Sequence, residues 1–200
     1  NLRGIQDAYM SSKGLDYFQN SGRAVQAQYA YAIANPLNWQ GYGANLWGLT
    51  ACDGPGAVAI NYEGQTRQLL SYAARGVGLT STTDDGTIAP TAVLGSLPFA
   101  PELVVPTAVS MYETYGTLAL GTYGFLDAFN LSVPAGTPIT QGQFVAGSGW
   151  VDTQYLGIDQ GPIIAMAENY RSGLIWSTMQ QNTAIVLGLQ RAGFSGGWLG

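Results

Sequence analysis

Gly157-Ile158-Asp159-Gln160-Gly161-Pro162-Ile163 runs directly into Ile164-Ala165-Met166-Ala167-Glu168-Asn169-Tyr170-Arg171. A polar, glycine-bearing turn thus opens straight into a helix, and this join sets the reading of the whole chain. Proline is tolerated in a first turn, where its missing N–H has no partner to lose. The helix is therefore expected from Ile163 to about Arg171, with Asp159 just ahead of it at the positive end of the dipole. Two uses suit such an acid. It can cap the helix, worth about 0.5–2 kcal/mol, or it can stay ionised and activate water. Residue types alone leave both open. Glu168 and Arg171, three apart, read as an i,i+3 ion pair.

The same pattern extends outward in both directions. Downstream, 174–179 and 183–192 read as further helices. Upstream, Asn20-Ser21 is expected to cap a helix that stops at Asn35-Pro36. A weaker helical spacing over 5–18 is interrupted by Gly14. Ala89-Pro90 starts a helix to about Leu97, and another covers about 102–115, with Pro106 near its beginning. Between these lie a glycine- and aromatic-rich stretch, 39–56, with Trp39, Tyr42, Trp47, Cys52 and Asp53, then a loop-like 121–129 and a Gly/Thr/Pro-rich connection, 131–149. Loops of that length are usually functional or disordered, and so many large rings argue against disorder. Segments 57–62 and 68–74 could form a short hairpin or an irregular excursion. The expected fold is mainly α, with about three helix pairs, half of a six-pair toroid whose long loops make the site.

Composition narrows the chemistry. Only 10% of the 200 residues are charged, and the net charge is −5 with seven Lys and Arg in all. No basic run exists to follow a phosphate backbone, so nucleic acid is a poor partner. No apolar run reaches the roughly 18 residues of a membrane span, and no charged-then-apolar leader opens the chain. Asn1 reads as an interior or processed start. The single Cys52 excludes an intrachain disulfide and reads as a small buried hydrophobe. Histidine is absent, which removes the usual neutral-pH base and the commonest zinc ligand. Acid/base work falls to carboxylates or tyrosine, and no metal or organic cofactor is expected. Five Trp and twelve Tyr suit a sugar site, although rings mostly fill cores.

Among the twelve carboxylates, Asp7, Asp16, Glu102 and Glu113 read as solvated helix residues. Asp84 and Asp85 precede Gly86 in a turn. Asp53 lies in Thr50-Ala51-Cys52-Asp53-Gly54-Pro55-Gly56, where capping a turn and lining a site are equally open. Asp127 lies in Gly124-Phe125-Leu126-Asp127-Ala128-Phe129-Asn130, where rings flank a carboxylate and an amide that could bond sugar hydroxyls.

These segments occur in a recognisable order. Tyr31-Ala32-Ile33-Ala34-Asn35-Pro36, Trp47-Gly48-Leu49-Thr50-Ala51-Cys52-Asp53-Gly54-Pro55-Gly56, Asp85-Gly86-Thr87-Ile88-Ala89-Pro90, Asp127-Ala128-Phe129-Asn130 and Tyr155-Leu156-Gly157-Ile158-Asp159-Gln160-Gly161-Pro162 together resemble the glycoamylase-like domain family. Its relatives include endo-β-1,2-glucanases and the cyclase region of cyclic β-1,2-glucan synthases. The resemblance runs from near residue 1 to about 194, with 58–78 and 131–149 departing from the pattern. It implies an (α/α)6 barrel, of which 1–200 would be the C-terminal portion, and metal-free carboxylate hydrolysis of a β-glucan, most directly β-1,2-glucan. Asp159 falls on the position of the catalytic base. Asp53, Asp85, Asp127 and Asn130 match positions near the cleft, and Trp47 would stack on sugar. The partner acid would lie in the N-terminal half, outside this chain. That half, or another copy of the chain, should cover apolar seams bearing Val25, Tyr31, Val109 and Ile164. A secreted or periplasmic location goes with the family. The alternative is a non-catalytic surface protein that keeps the fold and binds glycan or assembles with itself.

Overall fold

The computed structural model describes residues 2–78 and 80–200. Seven helices carry the frame: α1 (Ala8–Ser12), α2 (Tyr17–Ala34), α3 (Pro90–Leu94), α4 (Pro101–Ala119), α5 (Gly157–Arg171), α6 (Leu174–Gln180) and α7 (Thr183–Arg191). The segments between them hold strands of two to four residues: β1 (Ala51–Cys52), β2 (Ala59–Tyr62), β3 (Gln65–Gln68), β4 (Ala73–Ala74), β5 (Gly76–Val77), β6 (Thr82–Thr83), β7 (Leu120–Gly121), β8 (Gly124–Phe125), β9 (Phe129–Asn130), β10 (Gln143–Val145) and β11 (Gly149–Val151). Four antiparallel pairs, β1–β4, β2–β3, β5–β6 and β7–β8, and one three-stranded sheet in the order β10-β11-β9 result. The architecture is thus mixed: helices with small sheets where long irregular loops were expected.

Helix boundaries follow local chemistry that differs in places from the sequence reading. Asp16 caps α2, accepting from the Gln19 N–H at 2.6 Å while the Gln19 side chain accepts from the Asp16 N–H. This reciprocal capping box starts the helix upstream of Asn20-Ser21, which lie inside it. Asp7 likewise caps α1, so both acids are helix starts and not solvated helix-face residues. The stop at Asn35 is as read: its backbone is left-handed, with φ 39°, and Pro36 follows. The hairpin closes earlier than expected. Glu63 and Gly64, at φ 50° and 76°, make the two-residue turn that a tight hairpin favours, so its second arm is 65–68. Helix α5 starts at Gly157, which puts Asp159 within its first turn, and the N-cap Leu156 has no side-chain bond to offer. Glu168 and Arg171 do pair, at 2.9 Å.

Two apolar clusters meet in the middle. One packs Val25, Trp47, Val93, Val104, Met111, Phe129 and Val151 between α2, α3, α4 and the three-stranded sheet. The other gathers Cys52, Ile60, Leu69, Ala128 and Trp150. Of the four expected seam residues, Val109 and Ile164 are exposed, whereas Val25 is buried in the core and Tyr31 is half-buried with its hydroxyl on Asp84.

A buried ion pair ties the sheets to the loops. Arg75 donates from Nε to Asp85 Oδ1 at 2.7 Å and from Nη2 to Oδ2 at 2.8 Å, with both side chains fully buried. Its Nη1 donates to the Cys52 carbonyl at 2.8 Å. Asp85 also accepts from the Leu70 and Thr87 N–H groups. Gly54 is required beside this pair, because a Cβ there would lie 2.3 Å from the guanidinium.

Replacing Asp85 by Asn leaves the Arg75 charge buried without compensation. Such losses are about 3–5 kcal/mol. Urea denaturation of Asp85→Asn should show a loss of that order.

Candidate active site

Asp53, Asp127 and Asp159 meet at one cleft, with a fully buried fourth aspartate, Asp152, beside Asp53 and Asp127. The β9–β11 pairing matches Trp150 with Asn130 and Val151 with Phe129. It continues past the strand ends through Asp152 N–H to Ala128 carbonyl at 2.9 Å and Asp127 N–H to Gln154 carbonyl at 3.2 Å. Asp127 and Asp152 therefore leave the sheet at the same end, and their carboxylates lie within 4.8 Å of each other. Asp53 follows β1, and its N–H donates to Asp127 Oδ2 at 2.8 Å. Its own Oδ2 accepts from Gln141 Nε2 at 2.5 Å, while the Gln141 carbonyl is held by the Trp150 indole at 2.6 Å. Asp159 arrives on the first turn of α5. That turn is anchored by Thr91 Oγ1 donating to the Asp159 carbonyl at 3.2 Å and by Gln160 Nε2 donating to the Phe125 carbonyl at 2.6 Å.

The electrostatics are unusual. Asp127, Asp152 and Asp159 are each buried, and each keeps one oxygen, Oδ1, Oδ2 and Oδ2 respectively, without a hydrogen-bond partner. Burial raises the affinity of all three for a proton. In Asp127 the N–H of Asp53 pulls the other way, and the neighbouring Asp159 carboxylate raises it further. In Asp159 the contact with Asp127 offsets part of the burial effect, while the charges of Asp152 and Asp53 add to it. Asp127 is lifted to about 7, so that carboxyl can exchange a proton near neutral pH, which is what an acid/base site requires. Burial lifts the Cys52 thiol to about 12, so it is no nucleophile. Asp53, Asp127 and Asp152 also form a compact set of hard oxygen donors of the kind that can hold a metal ion.

The cleft, about 440 Å³, is lined by Asp53, Asp127 and Asp159 together with Gln28, Tyr72 and Ile158, among others. Three expected site residues thus converge, and three do not. Asp85 is committed on both oxygens to Arg75 and backbone N–H groups. Asn130 is fully buried, donating to the Asp85 carbonyl and Thr87 Oγ1 and accepting from the Ser132 N–H. Trp47 is 1% exposed, its indole donating to Thr107 Oγ1 at 2.7 Å, so its ring fills the core and offers no face to sugar. Those residues support the cleft wall. Asp152, Gln141 and Tyr72 were not singled out from sequence. Tyr72 is 68% exposed at the cleft, the position for a ring that stacks on a ligand.

Comparison with known proteins follows the same outline. Residues 1–183 match the Glycoamylase family model, described as "Putative glucoamylase". An exo beta-1,2-glucooligosaccharide sophorohydrolase (non-reducing end) of Parabacteroides distasonis is 30% identical over 188 residues, 94% of this chain and 22% of its own length. Among solved structures, a protein from Bacteroides uniformis with the same description as the family superposes with a TM-score of 0.76 at 37% identity, covering 99% of this chain and 39% of that one. An endo-beta-1,2-glucanase from Chitinophaga pinensis, in complex with sophorotriose and glucose, gives 0.74 at 34%, covering 98% and 38%. This chain therefore spans well under half the length of each of these relatives.

The placement of Trp47 is open to a direct check. Trp47→Phe removes a buried hydrogen bond and part of a core ring, so melting temperature should fall. KM for any glycan substrate should stay within about twofold, since a change confined to packing leaves ligand contacts alone.

Proposed function

The chain belongs to the Glycoamylase family, and from that premise we propose that it forms the C-terminal part of an (α/α)6 catalytic barrel that hydrolyses a β-glucan, most directly β-1,2-glucan. The observation that carries this reading is Asp159: a buried carboxylate at the cleft, with one oxygen unpartnered, on the first turn of α5. Capping does not explain it, because Leu156 occupies the N-cap and no side chain caps that turn. The names of the relatives from Parabacteroides distasonis and Chitinophaga pinensis support the linkage.

In this reading Asp159 is the general base. A water gives its proton to the Asp159 carboxylate as its oxygen bonds to the anomeric carbon. The glycosidic C–O bond breaks, and the leaving oxygen takes a proton from a carboxylic acid. That acid is assigned to the part of the protein outside this chain. Asp127, touching Asp159, keeps its carboxylate poised. Asp53 accepts from sugar hydroxyls, and Tyr72 stacks on a pyranose face. Exposed apolar residues on α4 and α5, Val105, Val109, Tyr112, Ile158 and Ile164, suit contact with the remaining barrel helices. A secreted or periplasmic location follows from a polymeric substrate met outside the cytoplasm.

The test is release of reducing ends from β-1,2-glucan by the complete protein. New reducing ends support hydrolysis, whereas binding with an unchanged polymer supports a glycan-binding module instead. Asp159→Asn should lower turnover by at least about 10²-fold, the lower range for acid/base groups, with melting unchanged or slightly raised because a buried charge is removed. Tyr72→Ala should raise KM with little change in kcat, and Tyr72→Phe should restore it.

A further inference from the structure

No cationic side chain among the described residues pairs with the acidic cluster. Asp53, Asp127 and Asp152 each bring one oxygen within 4.8 Å of the other two. The nearby Arg75 is committed to Asp85 and to backbone carbonyls. Hydrogen bonds cover Asp53 Oδ2 from Gln141, Asp127 Oδ2 from the Asp53 N–H, and Asp152 Oδ1 from the Thr153 N–H at 2.6 Å. Asp127 Oδ1 and Asp152 Oδ2 are left bare, on residues 1% and 0% exposed. Asp159, 5% exposed and in contact with Asp127, adds a further bare oxygen. Isolated buried carboxylates are strongly unfavourable unless they are protonated, paired or bound to a metal. Asp152 Oδ2 is sealed by this chain itself, so no side chain from elsewhere in the protein reaches it without displacing what covers it. Its partner is a proton or a small ion.

The donor set selects the partner. All three groups offer hard oxygen, and the sequence contains no histidine, which disfavours zinc. Calcium holds oxygens at about 2.3–2.6 Å, so opposite ligands lie up to about 5 Å apart, whereas magnesium at about 2.0–2.1 Å draws them within about 4.2 Å. Oxygens within 4.8 Å of one another fall inside the span of calcium, whose flexible geometry also tolerates a set of carboxylates fixed by the fold. We propose that Asp53, Asp127 and Asp152 bind one calcium ion at the floor of the cleft. Calcium takes six to eight oxygens, so coordination positions toward the cleft remain for water or the hydroxyls of a sugar. The ion replaces the missing positive partner of the cluster and leaves Asp159 as the carboxylate free to act. This assignment does not depend on which glycan the cleft takes.

Calcium chloride titrated calorimetrically into the complete, chelator-treated protein tests the site without any activity readout. The expected result is saturable binding, with a Kd at or below about 10⁻³ M, the weak end of known calcium sites, and with one bound ion per chain lost in Asp152→Asn. Should Asp152→Asn fail to fold, Asp53→Asn, at a half-exposed ligand, takes its place with the same expectation. Absence of saturable binding in the wild-type protein would overturn the proposal. So would an undiminished calcium stoichiometry and affinity in a folded variant.

Discussion

The buried pair between Arg75 and Asp85 is the interaction on which the cleft depends. One guanidinium fixes both oxygens of Asp85 and the Cys52 carbonyl, so the β1 strand and the Asp84-Asp85-Gly86 turn cannot move apart. Asn130 donates to the Asp85 carbonyl, and Ile88 and Phe129 exchange backbone bonds at 2.8 and 2.9 Å. That carries the constraint into β9, whose paired strand β11 ends at Val151, directly before Asp152. Every aspartate of the site except Asp159 is thus within a few bonds of one ion pair. In a low-dielectric interior such a network is fully satisfied or strongly destabilising. The arrangement keeps like charges together only because its frame is rigid.

A second polar hub works beside the first. Asp84 accepts from the Tyr31 and Tyr42 hydroxyls and from the Trp39 indole, pinning the aromatic loop after α2 against the same turn. Burial raises the proton affinity of Asp84, offset by the Gly86 N–H and these phenols. Two adjacent acids of one turn therefore serve as anchors, one for a guanidinium and one for rings. The aromatic richness of 39–56 is mostly framework, and among the described residues only Tyr72, from a neighbouring loop, presents a large exposed ring at the cleft.

Local signals were legible in the sequence and long-range ones were not. Asn35-Pro36 ended α2 as read, Cys52 lay buried, and Glu168 and Arg171 paired, because each depends on neighbours within a few residues. Asp16 was missed as a cap because Asn20-Ser21 offered an equally good local signature, and only the reciprocal bond with Gln19 separates them. Asp159, Asp127 and Asp53 could be named from their segments and do meet at the cleft. Asp152 could not, since its role rests on β9–β11 pairing across a loop that carries no periodicity. Asp85, Asn130 and Trp47 sit in the same motifs as the cleft residues, yet face inward. Sequence order cannot tell a residue that touches a ligand from one that holds its neighbour in place.

The central claim is that the cleft bearing Asp159 holds the glycosidic bond that is cut. A crystal structure of the complete protein carrying Asp159→Asn, soaked with a β-1,2-linked glucooligosaccharide, addresses it most directly. The expected result is sugar crossing the cleft beside Asp53 and Tyr72, with a water between residue 159 and an anomeric carbon. Sugar bound elsewhere, with nothing but solvent within hydrogen-bonding reach of residue 159, would contradict it.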